Sequence, residues 1–165
     1  MNATEQILHK LGIDRLTPMQ QAVSEVDSRY DVVVLSPTGT GKTLAYMLPL
    51  MKSIDTESDA VQAVVVVPGR ELALQSQRVL SSIGSIRSCA CYGGRMAMDE
   101  HRMLRQIRPQ VVFATPGRLN DHLDKGNIEA DQVRTLVIDE FDKCLDLGFE
   151  AEMQALLRSL RCIRR

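Results

Sequence analysis

Tryptophan is absent from this 165-residue chain, and Phe and Tyr number three each. The core must therefore be built from Val, Leu, Ile, Met and Ala. Charge of one sign is missing too. Twenty basic residues face twenty-one acidic ones, for a net charge of −1, so any nucleic-acid surface must concentrate its cations on one face. No apolar run approaches the ~20 residues needed to span a bilayer, and no secretory leader is visible. The chain reads as cytoplasmic, with no membrane partner. Its four cysteines (Cys89, Cys91, Cys144 and Cys162) include no C-x-x-C pair, and His9, His101 and His122 are scattered. Reduced, partly buried thiols explain them better than a metal site does. Cys89 and Cys91 fall on one face of a strand, a packing pattern. Repeats and low-complexity segments are also lacking.

The length suits one domain over residues 1–165, which can bury roughly 70% of its unfolded surface without a disulfide or metal staple. β-branched runs alternate with helix-like stretches. Strands are predicted at 31–35, 63–67, 87–92, 110–114 and 135–138, and amphipathic helices at 70–83, 96–107 and 116–123. Continuous apolar runs of this length suit strands buried on both faces of a parallel sheet. Strand–helix alternation implies an open α/β sheet. A polar loop is expected at 53–59. The C-terminus is basic over 158–165, and no strand is predicted after the last helix, so the sheet is expected to stop short of completion.

Each Gly- or charge-rich segment directly follows a predicted strand, where open parallel sheets bind ligands. Ser36, Pro37, Thr38, Gly39, Thr40, Gly41, Lys42 and Thr43 form a phosphate-binding loop. Gly39 and Gly41 free the backbone to point consecutive N–H groups at phosphates, and the helix from about Lys42 adds its positive end. Lys42 would reach the β- and γ-phosphates, and the Thr43 hydroxyl would ligate Mg²⁺. Ser36 stands where the usual pattern opens with Gly. Asp139, at the end of an apolar strand, places a carboxylate near the Mg²⁺. Glu140 can orient and deprotonate an attacking water, which suggests hydrolysis. Catalytic candidates are thus Lys42, Asp139 and Glu140, with Thr43 and Asp139 on the metal.

Six segments resemble, in order and spacing, the first RecA-like domain of the DEAD-box ATP-dependent RNA helicases. They are 12–20 ending in Gln20, 36–43, PGRELALQ at 68–75, YGGR at 92–95, TPGR at 115–118 and VIDEFD at 137–142. The resemblance implies a RecA-like three-layer sandwich, α/β, with a mostly parallel central sheet and helices on both faces. It implies ATP as the nucleotide, with Gln20 reading the adenine edge supported by Thr17, and Asp139 holding Mg²⁺ partly through water. Asp142 would link the nucleotide site to neighbouring motifs. Pro68, Gly69, Arg70, Gly93, Gly94, Thr115, Gly117 and Arg118 would hold an RNA backbone without reading bases. For Arg70 and Arg118, a solvated helix start or an internal salt bridge is the competing reading.

The chain departs from the family pattern at several points. Ile13 replaces an aromatic residue, Leu16 a proline, Gly69 a threonine and Phe141 the alanine of the eponymous tetrapeptide. The larger Phe141 is expected to rearrange its pocket. An upstream aromatic has no counterpart near Ala3. No Ser-Ala-Thr segment follows Asp142, and the second RecA-like domain with its arginine finger is not in the sequence, a loss of ~10³-fold or more in turnover by analogy. The expectation is an ATP- and RNA-binding first domain of an RNA helicase that works with a second RecA-like domain. The rivals are a nucleotide-gated, non-catalytic RNA-binding module and a DNA-directed helicase of the same superfamily.

Overall fold

The computed structural model describes residues 3–165, apart from the side chain of Ala3. The question of an aromatic near Ala3 therefore lies outside the described side chains. The elements run α1 (Ala3–Leu11), α2 (Pro18–Glu25), α3 (Lys42–Ser53), β1 (Ala63–Val66), α4 (Arg70–Ile83), β2 (Ser88–Cys91), α5 (Ala97–Ile107), β3 (Val111–Ala114), α6 (Pro116–Asp124), β4 (Thr135–Ile138), α7 (Phe141–Asp146) and α8 (Glu150–Ser159). The strands form one sheet in the order β2-β3-β1-β4, and every pairing is parallel.

Side chains alternate across that sheet, and both faces are covered. Val64, Val66, Cys89, Cys91, Val112 and Ala114 pack with Leu104 of α5, Leu119 of α6, and Met153 and Leu156 of α8. Ala63, Val65, Ala90, Val111 and Phe113 pack with Met47 and Leu50 of α3 and with Ala73 and Leu80 of α4. Burying one such aliphatic or aromatic side chain contributes about 2 kcal/mol, so a core without tryptophan is sufficient. The result is a three-layer α/β sandwich. Cys89 and Cys91 share a face and pack in the first cluster, as the strand pattern requires.

Residues 31–35 depart from the strand expected of them. They form no strand, and Val33 and Leu35 are 87% and 93% exposed. A β-branched run signals an environment with two covered faces. It cannot supply the neighbouring strand that its amides must bond, and none of the described residues does so. β4 is an edge strand whose residues are only half-buried. Its outer side meets the last residues, where Leu136 donates to the Arg165 carbonyl at 2.9 Å and Arg164 to the Arg134 carbonyl at 2.7 Å.

Register sets up the site. Val66 aligns with Ala114 and with Ile138, and Cys91 aligns with Ala114. All four strands therefore end at one level, and the turns after them form a single edge.

Candidate nucleotide and phosphate-backbone site

The loop at 36–43 turns through Gly39 and Gly41, both in the left-handed region at φ 82° and 85°. Gly41 is the N-cap of α3, and a Cβ there would collide with Gln20 Nε2. The loop is braced internally. Ser36 and Thr40 hydroxyls lie 2.5 Å apart, and Thr40 donates to the Pro37 carbonyl at 2.9 Å. Lys42 Nζ donates to the carbonyls of Ser36 at 2.7 Å and Pro37 at 3.1 Å. The cation is thus held at the mouth of the loop by weak acceptors that a phosphate oxygen can replace.

Gln20 is buried at the start of α2. Its Oε1 accepts from the Thr17 N–H at 2.9 Å, the Thr17 hydroxyl accepts from the Gln20 N–H at 3.3 Å, and Gln20 Nε2 donates to the Gly41 carbonyl at 3.0 Å. This capping box fixes the amide against the loop. One lone pair and one N–H of the amide are left over, the donor–acceptor pair that an adenine edge needs. Ile13 and Leu16, the departures nearby, pack against Leu8, Leu44 and Leu48.

Asp139 donates its N–H to the Val66 carbonyl at 2.9 Å and is buried at the end of β4. Burial, then the neighbouring Glu140 charge, raises its pKa above the ordinary carboxylate value. Tyr46, one turn into α3, donates to Ser76 Oγ at 3.4 Å, and Thr43 and Asp139 lie near enough to its phenol to act on it electrostatically. The two groups expected on Mg²⁺ therefore lie near one phenol. A carboxylate short of water and pressed by a second carboxylate, beside a hydroxyl, fits a divalent cation. Glu140 is the N-cap of α7 at φ 52°, an uncommon backbone for a non-glycine residue. Its Oε2 accepts from Lys143 Nζ at 2.9 Å. Phe141 is 50% exposed, so its ring rearranges no enclosing pocket, contrary to expectation. Asp142 is exposed in the first turn of α7.

The other strand-end loops hold the residues expected to contact an RNA backbone. Gly69 and Thr115 cap α4 and α6 without a side-chain hydrogen bond, so first-turn N–H groups remain for an anion. Pro68 leads into α4, and Gly117 lies in the first turn of α6. Gly93 and Gly94 are exposed, the latter at φ 91°. Arg70 is exposed, and its guanidinium lies 5.2 Å from the centre of the Tyr92 ring. Arg95 lies 4.9 Å from the same ring, and both distances suit a cation held over an aromatic face.

Arg118 differs from its neighbours. Its side chain is only 11% exposed, with Nε 3.5 Å from Glu100 Oε2, and its Nη2 donates to the Arg95 carbonyl at 3.0 Å. Glu100 also accepts from the Tyr92 N–H at 2.9 Å and bonds His122 Nε2 at 2.9 Å. Burial opposes charge on His122, but its hydrogen bonds to Cys91 and Glu100 outweigh that and raise its pKa to about 9. Cys91, Glu100 and His122 place three ligand atoms within 4.8 Å of one another. Glu100 and His122 already bond each other, Asn127 holds His122 Nδ1 at 3.1 Å, and the Arg118 cation neutralises the carboxylate. This is a closed polar cluster.

Tyr46 and Glu100 were not visible in the sequence as site residues. Tyr46 lies three residues after Thr43, the spacing of one helix face, and that was the only available signal. Glu100 is one acid in an amphipathic helix and carried none.

The DEAD/DEAH box helicase family profile matches residues 17–165. The ATP-dependent RNA helicase CshA of Limosilactobacillus reuteri is 36% identical over 155 residues, covering 92% of this chain and 31% of that protein. A DEAD-box ATP-dependent RNA helicase CshA from Geobacillus kaustophilus is also 36% identical, over 91% of this chain and 33% of its own length. Among solved structures, a hypothetical ATP-dependent RNA helicase from Sulfolobus tokodaii superposes with a TM-score of 0.85 at 30% identity, covering 99% of this chain and 49% of that one. The yeast DEAD-box splicing factor Prp28 gives 0.84 at 27% identity, with 95% and 39% covered. The chain thus spans about a third of the length of these curated relatives. No helix among the described residues is long and apolar enough to cross a membrane.

Proposed function

Because the chain belongs to the DEAD/DEAH box helicase family, we propose that it is the ATP- and RNA-binding first domain of an ATP-dependent RNA helicase, working in the cytoplasm with a second RecA-like domain. The observation that carries this reading is the Lys42 loop at the start of α3, with its cation held on the loop carbonyls and acting on the buried Asp139 that precedes Glu140. Gly39, Thr40 and Gly41 supply backbone N–H groups to the phosphates. Lys42 exchanges its carbonyl acceptors for β- and γ-phosphate oxygens. Thr43 and Asp139 hold Mg²⁺, whose charge offsets that of the phosphate oxygens. Glu140 positions the attacking water and takes its proton, which requires Lys143 to swing away from it. Gln20 reads adenine with its remaining N–H and lone pair.

Pro68, Gly69, Arg70, Gly93, Gly94, Thr115, Gly117 and Arg118 form the RNA-backbone surface. It uses main-chain amides and guanidinium groups and carries no base-reading set. Closure of the second domain over ATP would bend the bound strand and open a short duplex, and hydrolysis would release it. ATPase rates of the two-domain protein and of its Glu140→Gln variant test this. The account expects RNA-stimulated turnover in the first and at least a loss of about 100-fold in the second, the scale of removing a general base. Equal rates would favour a non-catalytic RNA-binding module, the reading that Phe141 and the Lys143–Glu140 pair support. Tighter binding of single-stranded DNA than of RNA at equal salt would favour a DNA-directed enzyme.

A further inference from the structure

We propose that Glu100 is a positioning residue that locks the loops after β2 and β3 into one RNA-backbone surface, with Arg118 acting as its lever. The proposal rests on reading these loops as the RNA-backbone site.

Glu100 lies in the first turn of α5 with 1% of its surface exposed. A buried carboxylate persists only if its oxygens are partnered, and the partners here come from both loops. Oε1 takes the Tyr92 N–H, where the chain leaves β2. Oε2 takes His122 Nε2 and faces Arg118 Nε, both on the helix that follows β3. Arg118 then reaches back with Nη2 to the Arg95 carbonyl. Tyr92, pinned at its N–H, has the guanidinium groups of both Arg95 and Arg70 over its ring, 4.9 and 5.2 Å from the centroid. The carboxylate thus fixes two ends of a four-residue turn and, through Tyr92, the two exposed cations beside it.

The bland reading is a satisfied core acid that only stabilises the fold. The direction of the network argues against it. The Tyr92 ring is itself part of the core, but the Arg95 carbonyl lies in an exposed turn and the exposed guanidinium groups of Arg70 and Arg95 sit over that ring, so the network reaches a cationic surface as well as the core. The assignment also changes the task of Arg118. A guanidinium engaged by Glu100 and a loop carbonyl is spent on geometry, and Arg70, Arg95 and the loop amides are left to meet phosphates.

Glu100→Gln is the variant of choice because it keeps the shape and an oxygen for the Tyr92 N–H. It removes the charge and turns an N–H toward Arg118. Binding of a fluorescein-labelled oligouridylate to the chain across a salt series, beside binding of a fluorescent ADP, separates the readings. The positioning role predicts RNA affinity about tenfold weaker. It predicts a log–log salt slope flatter by about 0.7 for each phosphate that the variant no longer neutralises. It also predicts unchanged ADP binding and an Arg118→Gln loss that does not add to that of Glu100→Gln. A folded Glu100→Gln chain with wild-type RNA affinity and slope overturns the proposal alone. Equal losses of RNA and ADP binding, or additive losses in the double variant, also overturn it and return Glu100 to a purely structural role. A wild-type chain with no salt-dependent RNA binding overturns the RNA reading itself, and the proposal with it.

Discussion

Asp139 is buried beside Glu140, and both circumstances raise its pKa. A carboxyl raised in the folded state adds stability only below its unfolded pKa. That stability is lost as pH rises through the folded value. At neutral pH the ionised Asp139 therefore costs the nucleotide-free fold some stability, which bound Mg²⁺ would return. Asp139→Asn should raise the melting temperature of the nucleotide-free chain and abolish Mg²⁺-dependent nucleotide binding; a lower melting temperature contradicts the electrostatic account. His122 carries the same sign with a different window. Its pKa rises from 6.5 to about 9, so its contribution is full below about pH 6.5 and gone above about pH 9. Urea unfolding should show stability falling across that window by up to about 3 kcal/mol, and His122→Gln should flatten the fall. Neither behaviour was legible in the sequence: the first depends on how the fold buries the end of β4 around Asp139, and the second on Cys91 and Glu100, which lie far along the chain from His122.

Secondary structure was legible where burial alone decided it. The runs at β1, β2, β3 and β4 are short, apolar and followed by turn residues, and each lies within a residue or so of its expected place. The run at 31–35 has the same composition and fails, since composition reports what a strand needs and not whether a partner strand is there to bond it. The turn at 36–43 was legible through its glycines and the helix behind it, although the strand expected before it did not form. The structure adds the reason that Gly41 must be glycine: a positive φ and Gln20 Nε2 in the place of a Cβ. Gly41→Ala should lose at least about 1 kcal/mol from the left-handed backbone alone. It should also push the Gln20 amide aside and reduce the preference for ATP over GTP. Thermal melts and competition between the two nucleotides check both parts, and an unaltered preference would remove Gln20 from adenine recognition.

For the whole molecule, the level ends of four parallel strands gather the carboxylate pair and the cationic loops along one edge, and the start of α3 brings Lys42 of the loop at 36–43 within electrostatic reach of Asp139. That edge was foreseeable from the habit of placing turn and charged residues directly after apolar runs. Its internal wiring through Tyr46 and Glu100 was not. The central claim is that this edge binds Mg²⁺–ATP through the loop at 36–43. Calorimetric titration of the chain with ATP, with Mg²⁺ and with chelator, against a Lys42→Ala variant, tests it most directly. The account predicts one saturable site that needs Mg²⁺, prefers ATP to GTP and disappears in Lys42→Ala. ATP binding of equal strength in the variant, or none in the wild-type chain, would contradict it.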